Sequence, residues 1–459
     1  MDTARRIQTT TMSTVSRRRR TKLKQGFIFF IYIFFLAAVF LLPQEEKKLT
    51  METAVQSALK YNERAVAAGE RINASRARVL KARSFFLPTI NATGTYTRRP
   101  FAVDRIINNQ TITIQSLNAL AGNIAVNMIL FDSRSFPLLR QVRLEDKAEN
   151  CNSLESKRAL SFEVCNAFLV NLGVDQVLKA AQQRYDLAGK NLEASQARYE
   201  AQLVSVNDVT RTQLEYAAAE SNMTRAEGDV ENARLQLEFL VGTPIRDRLL
   251  PPEKLMAEAE SPPPLVEQLI PAARDQRLDL HALDWHAKAQ HAAAIEPALR
   301  WLPTLSLNGS YRYTNESGLS GRNTTWTAGL TLNWAVFDGL TRIGDFKERK
   351  ALAHIADLDF RAGLRAVELE VRSALVTLTN QQANLKQVEV ALEVAKKNAA
   401  ETAELYRQGL TGALQAADAN VRLYEAEVEF IRARYGLAIA FLNLRMALGL
   451  DPFGKSNGK

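Results

Sequence analysis

A chain of 459 residues, 46% hydrophobic and 24% charged, holds enough apolar material for a sizeable core and too much charge for a multi-span helical membrane protein. Its net charge of +9 would suit a nucleic-acid binder, but residues 1–42 hold eight Arg or Lys and one Asp, so +7 of that charge belongs to the N-terminus. The basic run Arg17 to Lys24 has no interleaved aromatics for base stacking, which argues against nucleic acid.

That run is followed by GFIFFIYIFFLAAVFLL, Gly26 to Leu42, without a charge. A positive segment and then an apolar core is the anatomy of a secretory signal. Residues 1–44 are therefore expected to be a signal peptide, cut somewhere near 38–46, with Met12 as an alternative start. An uncleaved membrane anchor is the alternative, since 17 residues lie at the short limit for a span. No Cys follows the apolar core, so no lipid-modified N-terminus is expected.

A first structural repeat is expected over 45–242, with strands at about 88–98 and 123–131. In TINATGTYT, Ile90, Ala92, Gly94 and Tyr96 share one face, and Asn91, Thr93, Thr95 and Thr97 the other. In NIAVNMILF, Ile124, Val126, Met128 and Leu130 oppose a mixed face. A 3-4 seam follows at Val164, Ala167, Val174, Leu178, Ala181, Tyr185, Ala188 and Leu192, broken only at Asn171. It predicts a long helix of coiled-coil type. Cys151 and Cys165 lie 14 residues apart on it. That separation is about 21 Å along a helix, too far for a disulfide. They read as buried small apolar residues.

Residues 243–264 are a Pro-rich linker that cannot be one regular helix. A second repeat is expected over 265–450, with strands at about 304–313 and 325–337, followed by a tail at 451–459. Both strands alternate. Leu305, Leu307, Gly309, Tyr311 and Tyr313 oppose Ser306, Asn308, Ser310 and Arg312, while Trp326, Leu330, Leu332 and Trp334 oppose Thr327, Thr331 and Asn333. A second long helix, about 340–405, repeats the seam at Val371, Ala374, Leu378, Leu385, Val388, Leu392, Ala395 and Ala399. It would measure roughly 100 Å.

The two repeats are copies of one plan. FLPTINATGTY at Phe86 recurs as WLPTLSLNGSY at Trp301, and Phe131-Asp132 recurs as Phe337-Asp338. The offset between copies is 215 residues early and 207 from Tyr199 onward, so the first repeat should carry a strand-strand loop about eight residues longer.

Four strands of nine to thirteen residues have a bilayer-spanning length, with an apolar face and a Ser/Thr/Asn face suited to a water-filled lumen. In lipid a sheet must close, because open edges leave backbone groups unsatisfied. One chain brings too few strands. Two copies would give eight, a barrel filled by its own side chains; three would give twelve and leave a channel.

The duplicated order of these motifs resembles the TolC-type outer membrane efflux proteins over about residues 48–451. The matching features are the LPTL…G…Y strand start, FDG at the strand exit, the Tyr-x-x-Gly-Leu helix joint and the terminal LG. The resemblance implies a mainly α fold with a membrane β-barrel. Each chain would give four strands to a shared 12-stranded trimeric barrel, continued by a long α-helical coiled-coil tunnel. It implies an outer membrane export duct of a tripartite efflux or type I secretion system, working as a homotrimer in outer membrane lipid. Its partners would be a periplasmic adaptor and an inner-membrane RND or ABC transporter. By residue match, Asp208 and Tyr406 resemble partners of a contact that closes the periplasmic aperture. Asp418 matches one member of a carboxylate ring there, where three copies would favour cations. Gln415 and Thr411 stand where the family pattern has a second ring Asp and a gating Arg.

No nucleophile elbow, phosphate loop or metal signature occurs, so neither enzyme activity nor a cofactor is expected. His281, His286 and His291 step by five, which points them to different sides of a helix. Sequons such as Asn91 and Asn315 are ordinary strand and turn residues. The competing reading is a membrane-anchored periplasmic coiled-coil scaffold without a pore.

Overall fold

The computed structural model describes residues 48–107, 110–316 and 321–455; the expected signal or anchor, 1–44, and residues 456–459 of the expected tail lie outside these. The described residues fall into two units. In the small one, 48–49 and 246–250, Leu49 donates its N–H to the Arg248 carbonyl at 3.0 Å and accepts from Leu250 at 3.1 Å.

The large unit begins with α1 (Met51–Tyr61) and α2 (Glu63–Arg83). Strands β1 (Thr89–Arg98), β2 (Val103–Ile107), β3 (Gln110–Gln115) and β4 (Asn118–Phe131) follow. Next come α3 (Ser135–Glu200), α4 (Val206–Val241), α5 (Glu253–Glu260), α6 (Val266–Gln276) and α7 (Leu278–Leu299). The chain continues through β5 (Thr304–Thr314) and β6 (Thr324–Asn333) to α8 (Thr341–Arg407) and α9 (Ala413–Ala447).

Helices α3 and α8, 66 and 67 residues long, each fold back on a shorter partner, α4 and α9. At 1.5 Å per residue each long helix runs about 100 Å. Buried residues recur at sevens: Ala181, Ala188 and Ser195 on α3; Thr212, Ala219, Ala226 and Ala233 on α4; Val371, Leu378, Leu392 and Ala399 on α8. A seven-residue repeat holds one face toward a supercoiled partner. The small side chains let the axes approach closely. Asn171, the break in the first seam, is itself buried.

Strands β1-β4-β5-β6 form one antiparallel sheet. Pro88 and Pro303 stand immediately before β1 and β5. Proline has no N–H to give a ladder, so the repeated Leu-Pro-Thr phrase marks where pairing begins. The same proline explains why β6 stops short of the expected 337. Thr304 pairs with Asn333, and no donor stands before it to extend the ladder. The carbonyls of Ala335 and Val336 accept from the Arg342 guanidinium instead, at 2.8 and 3.2 Å.

The longer loop expected in the first repeat is folded. β4 starts at Asn118 rather than near 123, and β2 pairs with β3 as a separate antiparallel hairpin. The Pro-rich linker holds the short helix α5 between its proline clusters.

The copies also share their packing. Asn62 and Arg277, 215 residues apart, stand at the N-caps of α2 and α7. Asn62 Nδ2 donates to the Leu240 carbonyl at 3.0 Å, and Arg277 Nη1 to that of Ala447 at 3.5 Å. Each thereby satisfies the end of its repeat's last helix. Gly242 and Gly449, at φ 76° and 79°, terminate those helices against the same two caps.

Candidate channel wall and helix joints

The sheet has two unlike faces, and its register keeps them unlike across all four strands. One row reads Ile90–Val126–Gly309–Ala328, the next Ala92–Ile124–Tyr311–Trp326. On the reverse, Asn91–Ala125–Ser310–Thr327 and Thr93–Asn123–Arg312–Thr325 align. Polar side chains bond across the ladder there, Asn308 to Thr331 at 2.9 Å and Ser310 to Thr327 at 2.8 Å. Every residue of β1 and β6 is exposed, so among the described residues no layer covers either face of these strands. Trp326 is 75% exposed and Leu330 65%. A water-soluble sheet buries its apolar face; this one presents it bare. Neither β1 nor β6 has a second neighbour among the described residues.

The strands leave the sheet through two matching corners. Asp132 holds Arg134 at 2.7 Å, and Asp338 holds Arg342 at 2.8 Å. The Arg342 guanidinium lies 4.1 Å from the Trp301 ring centroid, and Trp334 Nε1 donates to the Trp301 carbonyl at 3.0 Å. Aromatics with a polar tip suit a membrane–water boundary.

At the far end of each long helix the chain turns back through a short joint. Gln202 and Gly409, at φ 61° and 73°, occupy the left-handed region at equivalent positions. The N–H of Leu203 bonds the Arg198 carbonyl at 2.9 Å, and that of Leu410 bonds Leu405 at 2.9 Å, closing both helix ends alike. Leu203 and Leu410 project into solvent, 74% and 70% exposed.

Between the joints lies a cavity of about 880 Å³ whose lining includes Arg198, Asp208, Tyr406 and Thr411. Asp208 and Tyr406 are thus brought together, but their side chains do not bond. The Asp208 carboxylate accepts from the Ser205 hydroxyl at 3.1 Å and the Ser205 N–H at 3.3 Å, and the Asp208 N–H returns a bond to Ser205 Oγ at 3.4 Å. This capping box starts α4. The Tyr406 hydroxyl is buried and finds no partner among the described residues. Its ring lies under Arg198, 4.8 Å from the guanidinium carbon, and Arg198 Nη1 donates to the Tyr406 carbonyl at 3.3 Å. The sequence gives no hint of Arg198, because nothing local links it to a residue 208 positions away.

Asp418 stands apart from the cavity on the exposed side of α9, paired with Arg422 at 2.8 Å. That Asp-x-x-x-Arg spacing was readable as a helical ion pair. Farther from the joint, the Tyr185 and Tyr216 hydroxyls bond each other. Glu215 is buried beside them; burial pushes its carboxyl above the usual carboxylate range, against the pull of Arg184 and Arg211.

His281 Nε2 lies 2.9 Å from the Asp275 carbonyl oxygen, and His291 Nε2 lies 3.0 Å from Asp357. Among the described residues no group of three or more His, Cys, Asp or Glu could hold a metal ion. Cys151 and Cys165 are both free, with Cys165 buried. No helix among the described residues is long and apolar enough to cross a membrane, a statement that does not bear on the strands.

The family model described as outer membrane efflux protein matches residues 54–243 and 269–450. Among curated relatives, the outer membrane protein TolC of Vibrio cholerae is 23% identical over 377 residues, covering 81% of this chain and 84% of the relative. A solved membrane protein from Pseudomonas aeruginosa superposes with a TM-score of 0.73 at 20% identity, covering 87% of this chain and 92% of its own. The Campylobacter jejuni CmeC outer membrane channel superposes with a TM-score of 0.73 at 14% identity, covering 91% and 92%.

Proposed function

The chain belongs to the outer membrane efflux protein family, and from that premise we propose that three copies pool their sheets into one twelve-stranded barrel that exports cargo. It is an outer membrane channel protein with a large periplasmic helical portion, not an enzyme. The observation that carries the trimer is the sheet itself. It has two free edges, a bare apolar face and a polar face of Ser, Thr and Asn. Lipid can cover the apolar face, but only other strands can satisfy the edges. Closed membrane barrels need at least about eight strands.

In this reading residues 1–44 are the export signal, 45–242 and 265–450 are the two structural repeats, 243–264 link them and 451–459 are a tail. The matched family segments, 54–243 and 269–450, support that division. The helix joints form the periplasmic aperture. Exposed Leu203 and Leu410 at both tips are an apolar surface on which a periplasmic adaptor docks. An RND or ABC transporter behind that adaptor would supply drugs, small molecules or proteins. Asp208 and Tyr406 belong to the closing element, and Asp418 to the aperture rim.

Membrane fractionation, native mass in mild detergent and planar-bilayer recording test the proposal. The expected result is a heat-labile trimer in the outer membrane fraction that conducts ions. A non-conducting monomer in the inner membrane fraction would favour the scaffold.

A further inference from the structure

The polar face of the sheet carries a single ionisable side chain. Across β1, β4, β5 and β6 every other position of that face is Thr, Ser, Asn or a small or apolar residue; only Arg312 is charged. The other arginine in these strands, Arg98, falls on the opposite parity. Arg312 is exposed, flanked in its row by Asn123 and Thr325, two residues from the outer end of β5. No ion pair reaches it among the described residues. The nearby carboxylate of Glu316 is already held by the Arg99 guanidinium and the Ser116 N–H. The group of Arg99, Glu316 and Arg312 therefore keeps one uncompensated positive charge per chain. At the other end of the molecule Asp418 is neutralised by Arg422.

Resting on the trimeric pore reading, we propose that three copies of Arg312 form an anion-attracting ring in the outer part of the barrel lumen, so that the pore favours anionic cargo. Fixed charge in a water-filled lumen with low-dielectric walls raises the local concentration of the opposite sign. Thr93, Asn123 and Thr325 add neutral hydrogen-bonding groups along the same row, fit for carboxylate or phosphate oxygens.

The test uses the full-length protein in planar bilayers under a KCl gradient. Wild type should show a reversal potential displaced toward that of chloride, and Arg312→Lys should keep it. Arg312→Gln should lower the chloride-to-potassium permeability ratio at least about twofold in 0.1 M salt, the difference shrinking in 1 M salt as the Debye length falls from roughly 10 to 3 Å. Arg312→Thr, matching its row neighbours, repeats the measurement should the Gln variant fail to insert. Inorganic triphosphate added on the loop-bearing side should block wild type. Pores whose selectivity ignores the substitutions, or a wild type that prefers potassium and resists triphosphate, would overturn the ring. A wild type that makes no pores would overturn the pore reading itself.

Discussion

Taking one oxygen away, in Tyr406→Phe, tests the proposed closing role of this joint. The Tyr406 hydroxyl is buried without a partner, while Asp208 next to it in the same cavity is occupied by Ser205. A buried unpaired hydroxyl costs about 1–3 kcal/mol, and a hydrogen bond to a carboxylate contributes about 1.5–3 kcal/mol. Under the proposed closing role, two arrangements of the joint compete. In one, Asp208 completes the Ser205 capping box of α4 and Tyr406 is unsatisfied; in the other, Asp208 leaves Ser205 and accepts from Tyr406. The substitution relieves the first and weakens the second. A combined bias of at least about 2 kcal/mol moves the equilibrium roughly thirtyfold toward the capped arrangement. Single-channel recording should show this as a change in the occupancy of conductance levels. Asp208→Ala removes the acceptor and the reciprocal half of the capping box while leaving Ser205 as N-cap, so it should loosen the start of α4 rather than copy the Tyr406 effect. Unchanged level occupancies in both variants would refute the competition and remove this pair from gating.

Three further outcomes follow from the packing and charge of the helices. Gly449→Ala should lower the thermal midpoint more than Gly409→Ala. Both sit at positive φ, but a Cβ at Gly449 would meet backbone atoms of Gln276 and Arg277 at 2.9 Å, whereas Gly409 faces open space. The second change costs about 1–2 kcal/mol of backbone strain, and the first adds overpacking of about 1–3 kcal/mol; equal midpoints would contradict this. Glu215→Gln should stabilise the protein above the ordinary carboxylate pKa of about 4.3. The folded-state pKa is raised, so Glu215 itself favours folding at low pH and loses that contribution as pH rises through the raised value. Thermal unfolding at neutral and acid pH should show the variant's advantage vanish on acidification. Arg422→Ala frees the Asp418 carboxylate, so block by multivalent cations should strengthen, and Asp418→Ala should abolish that gain. A block insensitive to both would place Asp418 away from the rim.

The strands and seams were legible in the sequence because their periods report directly on faces. Side-chain parity in Thr89–Arg98 survives intact in the register, and that of Thr304–Thr314 holds against β4 up to the irregularity between Ile129 and Phe131. The hairpin β2–β3 was missed although Thr111 to Ile114 alternates after Asn108-Asn109, because the offset between repeats shows an insertion's length and not its fold. The end of β6 at Asn333 was missed for a different reason. Alternation runs on through Val336, but pairing is limited by its partner's proline. At the joint, the residue types of Asp208 and Tyr406 were readable and their bonding was not. Ser205 and Asp208 do have the local spacing of a capping box, but nothing in it says that Asp208 bonds Ser205 rather than Tyr406, and the cation over Tyr406 lies on another helix.

The free rims of β1 and β6 have a genetic consequence once three subunits share one ring. A defective copy with a damaged rim spoils every assembly that admits it. With mutant and normal alleles expressed equally and mixing at random, only about one complex in eight is built wholly from sound subunits. Loss-of-pairing alleles would then be dominant, whereas alleles that block secretion outright would be silent.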